Sequence, residues 1–132
     1  MAAFMVQKNT IDFITSVNYC NSISVKNNIL LVDLRHDTLF DKTTSGIKYD
    51  YQNVKGSVNF FAEKGEQAFT RAFPDKKVTY VLMSQNGTTG LELADALTKK
   101  GYRISWLIGG LQRLEWYTIN VDNFDCKNIL AQ

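Results

Sequence analysis

The sequence predicts an α/β protein with a mainly parallel sheet. Short apolar runs alternate along the chain with segments of helical spacing, which is typical of consecutive βα units. The clearest unit joins an apolar run at residues 78–83 to a glycine-containing loop and to a segment with apolar residues at helical spacing, Leu91, Leu93, Ala94 and Leu97. A chain of 132 residues can bury one sizeable core, so we expect a single domain over residues 1–132.

The N-terminal part is expected to hold two strands and one helix. Residues 4–6 form a candidate first strand, and residues 29–33 form a buried strand. Between them, Thr10 is placed as the N-cap of a helix that ends in a polar turn at residues 18–24. The apolar face of this helix would carry Ile11, Phe13, Ile14 and Val17.

The middle of the chain begins with a long polar loop at residues 36–53, which we expect to contain one helical turn and to border a site. Its aromatic residues, Phe40, Tyr49 and Tyr51, would lie near the mouth of that site or cover the sheet edge. Residues 54–61 contain a short strand after the Gly56 turn, and residues 66–73 form a helix that Pro74 ends.

The C-terminal part repeats the βα pattern. A helix begins at Gly90 and ends at Gly101, and residues 104–107 form the next strand. The Gly109–Gly110 pair then turns the chain into a final helix. Residues 118–132 are a C-terminal extension whose apolar residues are expected to pack on the body, namely Phe124, Ile129 and Leu130.

Composition excludes several classes of function. The formal charge is +2 and the basic residues are scattered, so we expect no nucleic-acid partner. No apolar run approaches the roughly 20 residues of a membrane span, so we expect no membrane association and a cytoplasmic location. In that reducing compartment Cys20 and Cys126 would be free thiols. Neither has metal-ligand spacing, and His36 is the single histidine, so no metal and no cofactor are predicted.

Four segments in order resemble the rhodanese-like domain family. The strand end at residues 30–35, with Asp33 and Arg35, is similar to the family's Asp-x-Arg motif, and residues 53–59 are similar to its His-Ile-Pro-Gly-Ala-Ile-Asn turn. Residues 78–96 resemble its strand, active-site loop and helix, and residues 101–116 its Gly-Tyr, Gly-Gly and Trp signature. The resemblance spans residues 5–117 and implies a three-layer sandwich with a central, mostly parallel five-stranded sheet flanked by helices.

The chain departs from the family at the residues that carry its chemistry. In active members the loop begins with a persulfide-carrying cysteine and reads approximately Cys-Arg-x-Gly-x-Arg. Alignment on Gly87 puts Ser84 at the cysteine position and Gln85 and Thr89 at the two basic positions. Because a serine hydroxyl cannot store a sulfane sulfur, the resemblance implies a binding or regulatory module without sulfurtransferase activity.

The candidate site is therefore a ligand or anion loop, formed by Ser84, Gln85, Asn86, Gly87, Thr88, Thr89 and Gly90. Backbone N–H groups at such a helix start can bind an anion, although the loop can equally be a structural turn. Asp33 and Arg35 would support its geometry or simply join strand to loop. His36, beside Asp37, is more typical of a surface residue than of a catalytic one.

Three functions follow. The first is the non-catalytic module, with an unknown protein partner or a small anion as ligand. The second is an active thiosulfate sulfurtransferase or persulfide carrier that uses Cys126 or Cys20. The third is a flavin or phosphate-ligand protein, because the hydroxyl-rich loop is somewhat similar to the phosphate loop of flavodoxins. In flavodoxins the phosphate loop follows the first strand of the fold, whereas residues 84–90 follow a later strand. This difference disfavours the third function.

Overall fold

A parallel five-stranded sheet lies at the centre of the computed structural model, which describes residues 10–25, 28–40 and 53–131. The strands along the chain are β1 (Asp12–Ile14), β2 (Ile29–Asp33), β3 (Asn53–Val54), β4 (Val58–Asn59), β5 (Thr79–Met83), β6 (Arg103–Leu107) and β7 (Leu130–Ala131). The central sheet has the order β1-β6-β5-β2-β4 and every neighbouring pair is parallel. The predicted α/β class and five-stranded sheet are confirmed.

Helices cover both faces of this sheet. They are α1 (Ser16–Val25), α2 (Asp37–Phe40), α3 (Gly65–Ala72), α4 (Leu91–Lys99) and α5 (Gly110–Asn120), with a 3-10 turn at Ala62–Lys64 before α3. Side chains of α3 and α4 pack on one face in a cluster that includes Phe69 and Leu97. Side chains of α1 and α5 pack on the other face, with Tyr19 and Leu114 among them. The result is the predicted three-layer arrangement.

The apolar runs of β2 and β5 explain why both faces must be covered. Successive residues of a strand point to opposite sides, so an unbroken apolar run is stable only when each side is buried. Val32 and Leu82 join the α3/α4 cluster, whereas their neighbours Leu31 and Val81 join the α1/α5 cluster. All four side chains are at most 3% exposed. The two central strands thus tie both helical layers to one sheet.

The helix predicted to start at Thr10 is wrong. Residues Asp12–Ile14 form the edge strand β1, which pairs with β6, and the helix begins at Ser16. Thr15 is its N-cap, because the Thr15 Oγ1 atom accepts the Asn18 N–H at 3.1 Å. The polar segment predicted as a turn at residues 18–24 lies inside this helix. The predicted strand at residues 4–6 lies outside the described residues.

The other element predictions hold within one or two residues. The strands at β2, β5 and β6, the short strand β4, and the helices α3, α4 and α5 are all present. The helical turn expected in the long loop is α2, while residues 41–52 lie outside the described residues. Pro74 follows the end of α3, and Gly101 follows α4 with a φ of 91°. No helix in the described ranges is long and apolar enough to cross a bilayer.

The C-terminal extension packs on the α1/α5 side, as expected for Phe124, which is buried. Its last residues also form β7, which pairs antiparallel with β3 in a separate two-stranded sheet that the sequence analysis did not predict.

The expectation of two free thiols is wrong. Cys20 of α1 and Cys126 of the extension form a disulfide bond. The two residues are 106 positions apart, and only the packing of the extension against α1 brings their Cα atoms to 5.7 Å. Neither cysteine is a free thiol in this structure.

Candidate functional site

The 84–90 loop lies at the carboxyl edge of the sheet, between β5 and α4. Its first two carbonyl groups face the start of α5: the Ser84 oxygen accepts the Leu111 N–H, and the Gln85 oxygen accepts the Gln112 N–H, both at 2.9 Å. The first N–H groups of a helix have no partner within the helix, so the loop supplies their acceptors. The N-terminus of α5 is therefore used to hold the loop.

Ser84 itself is buried, with 2% of its surface exposed. Its Oγ atom accepts the Gly87 N–H at 2.7 Å and so closes the loop on itself. Within the described part of the chain, no histidine or carboxylate contacts this hydroxyl. A serine becomes a nucleophile only beside a general base, so the geometry gives Ser84 the role of a local brace.

The remainder of the loop is braced from two sides. The Trp106 Nε1–H donates to the Gly87 oxygen at 3.0 Å, from β6 below. At the tip, the Asn86 Oδ1 atom accepts both the N–H and the hydroxyl of Thr88. In the described residues, five loop N–H groups have no acceptor, those of Ser84, Gln85, Asn86, Thr89 and Gly90. All of these residues except Ser84 are at least partly exposed, so their N–H groups can bind an anion or a carbonyl oxygen.

Asp33 and Arg35 form a buried ion pair at the end of β2. The Arg35 Nε and Nη2 atoms lie 2.8 to 3.1 Å from the Asp33 carboxylate, and the two residues are 5% exposed or less. The Arg35 Nη1 atom also donates to the Gln85 Oε1 atom at 3.2 Å. The pair therefore joins the end of β2 to the 84–90 loop.

The sequence comparison identifies the family. The family model of the rhodanese-like domain matches residues 16–115, about three quarters of the chain. This chain belongs to the rhodanese-like domain family. Its match covers every strand of the central sheet except β1, together with the 84–90 loop. No curated protein sequence matches the chain.

Solved structures of the same fold agree with this assignment. A Saccharomyces cerevisiae protein, described as a homolog of single-domain rhodanese and of the Cdc25 phosphatase catalytic domain, has a TM-score of 0.64 and 11% identity, with 96% of this chain and 92% of that chain covered. A rhodanese-like domain protein from Staphylococcus aureus has a TM-score of 0.62 and 14% identity, with coverage of 79% and 91%. A rhodanese-related protein from Thermoplasma volcanium has a TM-score of 0.59 and 15% identity, with coverage of 79% and 90%.

In this rhodanese-like domain the strand end and the loop meet, and the histidine contacts Asp37 and Phe61. The His36 Nδ1 atom lies 2.8 Å from the Asp37 Oδ1 atom, and the His36 ring packs edge-on against Phe61, with ring centres 4.9 Å apart. Both members of the His36–Asp37 pair are more than half exposed. The described residues contain no group of three or more histidine, cysteine or acidic side chains that could hold a metal.

Asn59 is a structural residue of the site that the sequence analysis did not single out. Its side-chain amide donates to the backbone oxygens of Asp33 and Arg35, at 3.0 and 2.8 Å. Asn59 thereby fixes the main chain on which the buried pair sits. It is the last residue of the 53–59 turn motif, so the motif itself was the signal that could have identified it.

Proposed function

We propose that this rhodanese-like domain binds a protein partner or a small anion and does not transfer sulfur. The observation that carries the proposal is the state of Ser84: it begins the loop, it is buried, and its hydroxyl is used as the acceptor of the Gly87 N–H. Aligned on Gly87, it stands where active relatives have the persulfide-forming cysteine. A hydroxyl at that position cannot hold a sulfane sulfur.

The electrostatics of the loop support the same proposal. The two positions that are basic in active members carry Gln85 and Thr89. The nearby guanidinium of Arg35 is neutralised by Asp33, and it reaches the loop only through the Gln85 side chain. The loop therefore keeps backbone donors for a ligand but carries no fixed positive charge of its own.

The alternative sulfurtransferase would need a thiol outside the loop. Cys20 and Cys126 are joined to each other, which disfavours either of them as a sulfur carrier in this form. Disulfides are rare in the reducing cytoplasm, so the Cys20–Cys126 bond bears on the cytoplasmic location expected from the sequence. Alkylation with N-ethylmaleimide at lysis, read by intact mass, tests the location. Two unmodified cysteines would indicate an oxidising compartment, and two alkylated cysteines would indicate the cytoplasm.

A thiosulfate:cyanide sulfurtransferase assay tests the activity. We expect no thiocyanate above background from the natural sequence. The double variant Ser84→Cys with Thr89→Arg should form a cyanide-labile adduct of one sulfur atom and should turn over. A matched control, Ser24→Cys with Thr89→Arg, adds a thiol on the exposed face of α1 and should stay inactive.

Turnover by the natural sequence would overturn the proposal. Inactivity of both the natural sequence and the Ser84→Cys double variant would contradict the alignment of Ser84 with the catalytic cysteine, while leaving the family assignment in place.

A further inference from the structure

An open groove adjoins the 84–90 loop on the α3/α4 side of the sheet. It has a volume of about 630 Å³. One side is formed by the 3-10 turn and the start of α3, and the other side by the first turns of α4. Thr88 and Thr89 of the loop form one end of it. A Cβ atom added at Gly65 would have no heavy atom within 4 Å, so the groove is open to solvent along that wall.

The floor of the groove is apolar. Ala62, Leu91, Leu93 and Ala96 line it. Leu91 is the first residue of α4 and is 37% exposed, whereas Leu93 is buried in the core below. Leu93 therefore packs α4 against the core, and Leu91 is not needed for that contact. The Leu91 side chain lies in the groove directly after the loop.

The rim of the groove is acidic. Glu63, Glu66 and Glu92 line it, and none of the lining residues, all within the described part of the chain, is a lysine or an arginine. Glu66 lies 3.4 Å from Lys100, but among the described residues Glu63 and Glu92 have neither an ion-pair nor a hydrogen-bond partner. The negative charge of the groove rim contrasts with the net charge of the whole chain, which is +2.

Two cations lie close to the groove without lining it: Lys64 is exposed next to Glu63, and the Lys100 Nζ atom reaches Glu66. Lys76, Lys77 and Arg103 lie where the parallel strands start. A favourable helix dipole accounts for Glu92 in the first turn of α4. It does not account for the exposed Leu91, which lines the groove beside Glu92.

From these observations we infer that the groove docks a segment of a partner protein in which an apolar side chain is flanked by lysine or arginine. The apolar side chain would cover Leu91 and the alanines, and the cations would pair with Glu63 and Glu92. This inference rests on the proposed binding function and names the partner chemistry. A contact confined to one groove beside a loop is small for a protein interface, so we expect transient, salt-sensitive binding.

Three fluorescein-labelled peptides serve as probes, read by fluorescence anisotropy and by amide shifts in 15N-labelled protein. The first, Gly-Lys-Arg-Leu-Phe-Lys-Gly, carries both features. The second replaces its cations with glutamate, and the third replaces Leu-Phe with Gly-Ser. We expect binding only of the first, with amide shifts at residues 62–66 and 88–93, and clear weakening between about 50 and about 500 mM salt.

Matched variants distinguish peptide binding in the groove from nonspecific electrostatic or hydrophobic binding elsewhere on the surface. Glu92→Lys should weaken the first peptide at least about fivefold, whereas Asp122→Lys makes the same charge change at a fully exposed site and should not. Leu91→Ser should weaken it about tenfold, whereas Ile119→Ser removes an exposed apolar side chain of α5 and should not. Thermal unfolding of each variant checks that it is folded.

The inference is overturned if the first peptide produces no groove shifts at millimolar concentration, if the second or third peptide binds equally well, or if the control variants weaken binding as much as the groove variants. Concentration-dependent groove shifts without any peptide would assign the surface to self-association and would also overturn it. Each of these results leaves the sulfurtransferase assay unaffected, so failure of this inference and failure of the proposed function are distinguishable.

Discussion

At the scale of single residues, two glycines allow the 84–90 loop to lie against the start of α5. A Cβ atom at Gly87 would come within 2.7 Å of the Gly109 nitrogen, and one at Gly110 would collide with the Ser84 carbonyl oxygen. Both glycines also have positive φ values, 88° and 61°. The hydrogen bonds from α5 to the loop therefore require residues without a side chain at these positions.

Replacement of Gly110 tests this close approach. Gly110→Ala should lower the free energy of unfolding by about 2 to 4 kcal/mol, because it adds backbone strain and pushes the loop away from α5. Gly56→Ala is the control: Gly56 has a φ of 80° but open space around it, so only strain is added, about 1 kcal/mol. Urea unfolding measures both. Equal losses for the two variants would contradict a steric role for Gly110.

Tyr19 provides a pH-dependent test of the α1/α5 layer. Burial raises the pKa of Tyr19 from 10.0 to about 12. The folded state therefore holds the phenol proton more tightly than the unfolded chain, so this contribution to stability is complete below pH 10 and is lost as the pH rises toward 12. The loss attributable to Tyr19 amounts to about 1 to 3 kcal/mol across that window.

The measurement compares unfolding free energies of the natural sequence and Tyr19→Phe between pH 9 and pH 12. Tyr19→Phe should show a shallower decline, and the phenolate absorbance of the natural protein should include a tyrosine that titrates late. Tyr80 and Tyr102 also have pKa values raised by burial, so a remaining decline in the variant is expected. Identical pH profiles would contradict the assignment to Tyr19.

At the scale of elements, local pattern was sufficient where a helix or strand is long and its burial is regular. The helix α4 has apolar residues at helical spacing and glycines at both ends, and β5 is apolar from Tyr80 to Met83, so both could be predicted to within a residue or two. The prediction of a helix starting at Thr10 failed for a physical reason. Ile11 and Ile14 stand three residues apart and imitate a helical face, but Ile11 immediately precedes the edge strand β1 and Ile14 ends it, and the pairing of β1 with β6 is a long-range contact.

The corrected start of α1 can be tested at its cap. Thr15→Ala should lower the unfolding free energy by about 1 kcal/mol, because the Asn18 N–H loses its acceptor. Thr10→Ala should change it by less than about 0.5 kcal/mol, because Thr10 is an exposed residue outside the helix. Thermal or urea unfolding distinguishes the two. The reverse order of effects would restore the helix start that the sequence pattern indicates.

The candidate site could likewise be predicted only in part from the sequence. The order of motifs along the chain brought Ser84, Gln85, Asp33 and Arg35 to one region, because parallel strands end at a common edge of the sheet. What the sequence did not reveal is how each group is used. The Ser84 hydroxyl is engaged by the Gly87 N–H, and the Arg35 guanidinium by Asp33, and both facts depend on side-chain positions that only the folded chain defines.

At the scale of the whole molecule, the C-terminal extension connects distant parts of the fold. The disulfide attaches it to α1, the Ile129 oxygen accepts the Lys55 N–H at 2.8 Å, and β7 pairs with β3. β3 leads through the Gly56 turn to β4, where Asn59 holds the main chain of the Asp33–Arg35 pair. A continuous set of contacts therefore runs from the disulfide to the site. Sequence spacing could not predict it, because the cysteines are 106 residues apart.

Removal of the disulfide should loosen this connection. A bond that closes a loop of 106 residues restricts the unfolded chain strongly, so Cys20→Ala with Cys126→Ala should lower the unfolding free energy by about 2 to 5 kcal/mol. Hydrogen exchange should quicken first at the Lys55 and Ile129 amides, whereas the β5 amides, in the centre of the sheet, should keep the protection set by global unfolding. Reduction of the natural protein should produce the same pattern, and it serves as a control for the packing lost with the two side chains. Unchanged protection of Lys55 and Ile129 in both experiments would mean that β7 stays on β3 without the bond, and that the contacts of Phe124 with the α1/α5 cluster are sufficient to hold the extension.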